Sequence, residues 1–414
     1  GKSSILGLCT GITMTTEEKL PIVCDNGTGF VKLGYAGQYF PEHTFPSMIG
    51  TPTIKYSEEY TDVELKQIVV GDEAAKYRHM LEVKYPVSAG KILYWKGNYS
   101  IEHIWDYAFN EKLKCTPGDH RILLTEAPMN PKENRKRMLE FMFEKYGFAG
   151  ASVSMQAMLV LYAQGLLTGV VLDSGDGVSH CVPVWEGLLV PRWIKRLDVA
   201  GRNVTERLIK LLQARGHNFH RSADMDTVRQ IKEKHCYVGY DLGIERKLGL
   251  DTTTLTKKYK LPDGRVITLG AERYMAPEVL FQPSLGDEKY AEQDGIHTMI
   301  YNMISDADID LRRDFYKHIV LSGGSTMYPG LPTRLEKEIK NLYLKHTLKG
   351  DEKGLKKFKM RVEDPPRRRH MVFIGGAVLA QIMKNDENFW ISKEEWSELG
   401  AEQAIIKKLG AQSR

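Results

Sequence analysis

Hydrophobic and polar positions change period several times along this chain of 414 residues. At residues 21–37, PIVCDNGTGFVKLGYAG, an apolar run ends in Asp25. Gly27 and Gly29 follow, one residue apart, and Val31, Leu33 and Tyr35 then occupy every second position. Residues 169–187, GVVLDSGDGVSHCVPVWEG, repeat the arrangement with Asp173, Gly175 and Gly177. Apolar runs on either side of a glycine turn predict a strand, a tight acidic turn and a second strand, twice over.

Elsewhere the period is helical. RILLTE, ending at Glu126, reads as a strand and PMNP as a turn. Lys132 to Tyr146 then carries Met138, Phe141, Met142 and Tyr146 at helical spacing between charges. Asn130 before Pro131 reads as an N-cap with proline at the first helical position. HIVLSGGSTMYPGLP (318–332) predicts a strand running into a glycine loop, and TRLEKEIKNLYLKHTL an amphipathic helix. MVFIGGAVLAQIM (371–383) predicts a further strand–glycine–helix unit. Strands and helices in alternation, with glycine at the junctions, give an α/β class with ligands at strand ends.

Composition narrows the picture. With 42% hydrophobic and 27% charged residues the chain is globular, and its length suits two domains or more. A net charge of +5 is small for this size and basic residues occur along the whole chain, which argues against nucleic acid as the main partner. Cys9, Cys24, Cys115, Cys181 and Cys236 are odd in number and form no C-x-x-C pair, so neither a disulfide framework nor a zinc site is expected. A reducing compartment follows. The longest apolar run, Met155 to Leu172, is broken by Gln156, Gln164 and two glycines and is too short to span a bilayer. Residues 1–19 read as a leader or disordered N-terminus. Lys2 and a short apolar stretch precede Met14, but no A-x-A-like site follows, so an extended start or a cloning remnant is the plainer reading.

The acidic turns fit none of the common phosphate loops. Lys32 stands where a dinucleotide fingerprint wants its third glycine, and a strand follows instead of a helix. No G-x-x-x-x-G-K-[ST] occurs, and no H-R-D or D-F-G accompanies the hairpins. Taken singly, each aspartate is a turn residue capping its own backbone. As a matched pair they suggest a polyphosphate gripped from two sides. Gly27, Thr28 and Gly29 on one turn, and Gly175, Asp176 and Gly177 on the other, let backbone N–H groups reach phosphate oxygens without a Cβ in the way. Asp25 and Asp173 would repel a polyphosphate unless Mg²⁺, held largely through water, stood between them. Lys32 offers a point charge.

These hairpins and the SGGSTMYPG loop resemble the actin–hexokinase–heat-shock-70 ATPase superfamily. Within it TEAPMNPKENRKRM, LYAQGLLTGVVLDSGDGVSH, RLDVAGRNVT, IKEKHCYVGYD, FYKHIVLSGGSTMYPGLP and FWISKEEW resemble actin segments in the actin order, from about Pro21 to the end. The resemblance implies an actin-like ATPase fold, two duplicated ribonuclease H-like domains flanking a nucleotide cleft. Residues 20–163 with 371–414 would form one lobe, with a small subdomain about 47–84. Residues 164–370 would form the other, with a small subdomain about 200–291. It implies ATP and Mg²⁺ as cofactors. Asp25, Thr28, Gly29 and Lys32 would face the phosphates and ion from one side, and Asp173, Gly175, Asp176, Gly177 and Val178 from the other. Gln156 and His180 would arrange and activate the attacking water in a slow hydrolysis used as a conformational switch. Gly201, Lys232 and Glu233 would meet ribose and base, and Gly324, Met327 and Tyr328 the adenine. Arg369 stands where actins usually carry lysine, and its planar guanidinium stacks on a flat ring at least as well.

Several stretches depart from conventional actin. FPEH (40–43) replaces an acidic-and-alanine stretch. TPTIKYSEEYTDVELKQI (51–68) lacks the glycine- and methionine-rich character of the loop that grips the next filament subunit. LKHTLKGDEKGLKKFK (344–359) lengthens the chain, and EQAIIKKLGAQSR replaces the usual cysteine–phenylalanine ending. By composition the basic run at 344–359 is a solvated helix face. These departures resemble an actin-related member that pairs with actin-related protein 3 in the branch-nucleating complex. Its further partners would be the other subunits, actin and nucleation-promoting factors, in the cytoplasm and cortical cytoskeleton. A conventional filament-forming actin and a sugar kinase of the superfamily are the competing readings.

Overall fold

Each acidic turn closes an antiparallel hairpin in the computed structural model, which describes residues 19–53, 66–219 and 222–410. Ile22–Asn26 pairs with Phe30–Tyr35, and Gly169–Ser174 with Ser179–Trp185. The registers match: Asp25 lies opposite Lys32, and Asp173 opposite His180. So do the turns. The N–H of Gly27 donates to the Phe30 carbonyl and that of Gly175 to the Val178 carbonyl, each at 3.1 Å.

Each hairpin belongs to a sheet of the same design. In the first, Phe30–Tyr35 pairs antiparallel with His43–Pro46, while Ile22–Asn26 pairs parallel with Arg121–Glu126 and that strand with Gly150–Met155. In the second, Ser179–Trp185 pairs antiparallel with Leu188–Leu189 and Lys195–Leu197, while Gly169–Ser174 pairs parallel with Ile319–Ser322 and that strand with Val362–Glu363. One topology thus occurs twice, as the ribonuclease H-like expectation requires. The central strands are covered on both faces, so Ile22, Val23 and Cys24, like Ile122, Leu123 and Leu124, are wholly buried and their sequence does not alternate.

Two helices fill the space between the sheets, Gln156–Ala163 and Met371–Ile382, joined in apolar clusters with Val171 and Val320 on one side and Val23 and Leu123 on the other. The second corrects the strand–glycine–helix expectation for 371–383. Its two glycines do not turn the chain. A Cβ on Gly375 would stand 1.8 Å from the Leu159 carbonyl oxygen, and one on Gly376 would stand 2.9 Å from Val23 Cγ1. The pair is there so that two helices and a strand can touch.

The helix after PMNP also begins one residue late. Pro131 takes the N-cap position and Lys132–Glu140 the helix, with the last turn, Phe141–Lys145, widened to π form. Asn130 instead donates to Glu126 Oε2 at 3.2 Å, and Glu126 pairs with buried Arg135. The lengthened region before Met360 forms a widened turn at Tyr343–Thr347 and a short helix, Glu352–Lys357. Most of 51–68, residues 1–18 and the last four residues lie outside the described residues. Among those described, no helix is long and apolar enough to cross a membrane.

Candidate functional site

The two hairpins meet tip to tip, and the fit is reciprocal. A Cβ on Gly29 would lie 2.8 Å from Asp176 Cβ, and one on Gly177 would lie 2.7 Å from Thr28 Cγ2. Each turn therefore uses its second glycine to admit the residue before the other turn's second glycine. The N–H groups of Thr28, Gly29, Asp176 and Gly177 bond no backbone carbonyl among the described residues. Thr28 is held from outside by Gly90 N, 3.1 Å from its hydroxyl. Four uncommitted donors at two facing turns form concave positive dipoles suited to anionic oxygens.

Behind the tips stand the carboxylates. Asp25 is buried, its Oδ1 accepting from Thr125 Oγ1 at 2.6 Å and Gln156 Nε2 at 3.3 Å, its Oδ2 from Lys32 Nζ at 2.8 Å. Gln156 reaches it from the first position of its helix. Burial pushes the Asp173 carboxyl above its ordinary range. The Ser322 hydroxyl and the Lys32 ammonium pull it back, and the Asp25 charge opposes them. A cation between the two aspartates would relieve both burial and repulsion.

The second sheet and its helices build the rest of the wall. Gly201 opens the helix Gly201–Ala214, and its N–H bonds the Gly175 carbonyl at 3.1 Å, as does Ser325 Oγ at 2.5 Å. Lys232 is buried and donates to the Gly201 carbonyl at 2.9 Å. Burial lowers its pKa, against the pull of Asp176 and Glu233. Gly323, at φ +89°, brings the loop within a Cβ's reach of the Ser174 carbonyl. Gly324, Met327 and buried Tyr328 follow along the same wall. At the mouth Arg369 lies 3.9 Å from Glu233, and Arg229 bonds Glu233 at 2.8 Å with its guanidinium 5.4 Å from the Phe30 ring.

A single cleft of about 250 Å³ thus gathers Asp25, Gly27, Thr28, Gly29, Lys32 and Gln156 with Asp173, Gly175, Asp176, Gly177 and Val178. Gly201, Lys232, Glu233, Gly324, Met327, Tyr328 and Arg369 line it as well. His180 does not. It is 1% exposed, one strand behind Asp173, and its Nε2 has no partner among the described residues. Burial first, then Arg196, lowers its imidazole pKa to about 4. Phe30, Arg229, Ser322, Ser325 and His370 also line the cleft and were not singled out from sequence. Ser322 and Ser325 lie inside the quoted SGGST loop and His370 adjoins Arg369. Nothing local marks Phe30 or Arg229, which meet only through the fold.

Comparison with known proteins extends over nearly the whole chain. A family model described as actin matches residues 16–409. Actin-related protein 2 of Acanthamoeba castellanii is 58% identical over 387 residues, covering 94% of this chain and 98% of that one. The Drosophila melanogaster protein of the same name is 54% identical, over 96% of this chain and 99% of its own. That of Arabidopsis thaliana is 53% identical, over 93% and 97%. Similarity of this extent, on a fold in which one sheet design occurs twice, leaves a single assignment: the chain belongs to the actin family.

Proposed function

We propose that this protein is an ATP-binding actin-related subunit of the complex that nucleates branched actin filaments, standing beside actin-related protein 3 as a template for the daughter filament. The observation that carries this reading is near-full-length identity above one half to actin-related protein 2 of three organisms. It acts with the other subunits of that complex, actin and nucleation-promoting factors, in the cytoplasmic cytoskeleton of the cortex and cell projections.

The cleft supports nucleotide as the ligand. Thr28, Gly29, Asp176 and Gly177 supply free N–H groups for phosphate oxygens, and Lys32, Gly175 and Val178 complete the cradle. Asp25 and Asp173 would hold Mg²⁺, largely through water. No cluster of three metal-ligating side chains occurs among the described residues, so the ion would rest on these two carboxylates, water and the nucleotide itself. The bound ion supplies charge neutralisation for the polyphosphate. Gln156, fixed by Asp25 and Thr125, orients the water for a slow hydrolysis that switches conformation; His180, buried behind Asp173, would reach that water only after the wall of the cleft shifts. Gly201, Lys232 and Glu233 face ribose and base, and Gly324, Met327, Tyr328 and Arg369 the adenine. Residues 20–163 with 371–414 and residues 164–370 act as the two lobes that the nucleotide bridges.

Reconstitution tests the reading. The complex assembled with this chain should nucleate branches in an actin assembly assay with activator and ATP, and the complex lacking it should not. Full branching without it would overturn the proposal.

A further inference from the structure

Basic residues occur along the whole chain, but their surplus does not. Residues 343–361 carry seven lysines and arginines against two acids, a surplus equal to the +5 of the entire protein. Outside this stretch the formal charges balance.

The structure turns the stretch into a fixed platform. Tyr343 and Phe358, at its two ends, stack with ring centroids 3.9 Å apart and planes 9° apart, and Tyr316 packs edge-on against both. The Tyr301 hydroxyl meets Thr347 Oγ1 at 3.0 Å. One of the two acids, Asp351, is used as the N-cap of Glu352–Lys357. Lys345, Lys349, Lys353, Lys356, Lys357 and Lys359 are all exposed, and among the described residues none of them holds an ion pair.

The shape and chemistry of the platform select its partner. The six lysines line neither the nucleotide-sized cleft nor the two cavities around Lys66 and Glu111 and around Lys234 and Gly330, and all six are exposed. Six of the seven cations are lysines, point charges without the fork that grips one carboxylate or phosphate. Tyr343 and Phe358 stack on each other and pack against the core, so neither stands free as a platform for a nucleic-acid base. Leu344, Leu348 and Leu355 are half-buried, leaving little to insert into hydrocarbon. Clusters of about four to eight basic residues are of the size that holds a protein to acidic lipid. We propose that this lysine platform is a peripheral docking surface for an anionic bilayer, acting by charge and without insertion. It would hold the protein against the membrane on which a filament network pushes.

Co-sedimentation of the full chain with vesicles tests this. Binding should appear with phosphatidylserine in the vesicles, be absent with phosphatidylcholine alone, and vanish at high salt. Each lysine near the surface contributes about fivefold, so K353E/K356E/K357E should weaken binding about a hundredfold or more. Its ATP-dependent thermal shift should match the parent's, which shows that it is folded and leaves the nucleotide reading untouched. Equal vesicle affinity of parent and variant would overturn the proposal. So would tighter binding to a soluble poly-glutamate peptide or a nucleic-acid duplex than to the acidic vesicles.

Discussion

Asp25 holds three donors at once, Lys32, Thr125 and Gln156, and its charge also raises the pKa of Asp173. Replacing either aspartate by asparagine keeps the size and removes the charge that would retain a hydrated ion. Asp25→Asn and Asp173→Asn should therefore lose most of the stabilisation that Mg-ATP confers. That stabilisation is about 3 kcal/mol when ligand stands a hundredfold above its dissociation constant. Differential scanning with and without Mg-ATP measures it, and an unchanged shift in both variants would remove the ion from between the hairpins. His180 gives a separate prediction. Folded, its imidazole stays neutral down to about pH 4, whereas in the unfolded chain it charges near 6.5. Between those values the unfolded state binds a proton that the folded state refuses, so stability falls as the pH drops. The loss is about 3 kcal/mol over the window. Urea denaturation at neutral pH and near pH 4 should show His180→Asn with a flatter dependence than the parent. Equal slopes would mean that His180 protonates in the folded state.

At the scale of elements, what was legible in the sequence depended on whether the cause was local. Val31 and Leu33 alternate with their neighbours because that strand has one face on the core, and both acidic turns could be read from their glycines. The helix Met371–Ile382 could not. Locally, GG in an apolar run signals a break, since glycine costs about 1 kcal/mol in a helix. Its reason lies in Leu159, more than two hundred residues away in sequence, whose carbonyl a side chain at position 375 would strike. The same limit hid the Phe30–Arg229 contact and the placement of His180 behind the wall of the cleft. Gly375→Ala separates the two accounts by sign. Helix propensity alone predicts a gain of about 1 kcal/mol, while the 1.8 Å contact predicts a loss of about 2–3 kcal/mol through overpacking. Chemical denaturation should show the loss, and a gain would mean that the helices need not lie so close.

For the whole molecule, the question is whether a chain with an actin body would behave as filament actin. Filament growth requires each subunit to engage neighbours at both ends, through edges and loops that the next copy can grip. Between Thr51 and Ile68 the sequence lacks the glycine- and methionine-rich loop that serves this purpose in conventional actins. Before Met360 the lengthened segment adds six lysines to the surface of the second sheet's lobe, so a second copy meeting it there would meet like charge. Elsewhere Leu167, Leu188, Val378 and Ile382 are exposed, apolar positions that an incoming actin could cover. On the function proposed above, such a subunit would start a filament but not propagate one of itself. The isolated chain should therefore stay monomeric in Mg²⁺ and polymerising salt. It should promote actin growth only when accessory subunits and an activator hold it beside a second actin-like subunit. Sedimentation of the purified chain across a concentration series, run beside conventional actin, checks this. Pelleting of this chain alone would show that the altered loop still grips its neighbour, and would make the protein a filament-forming actin.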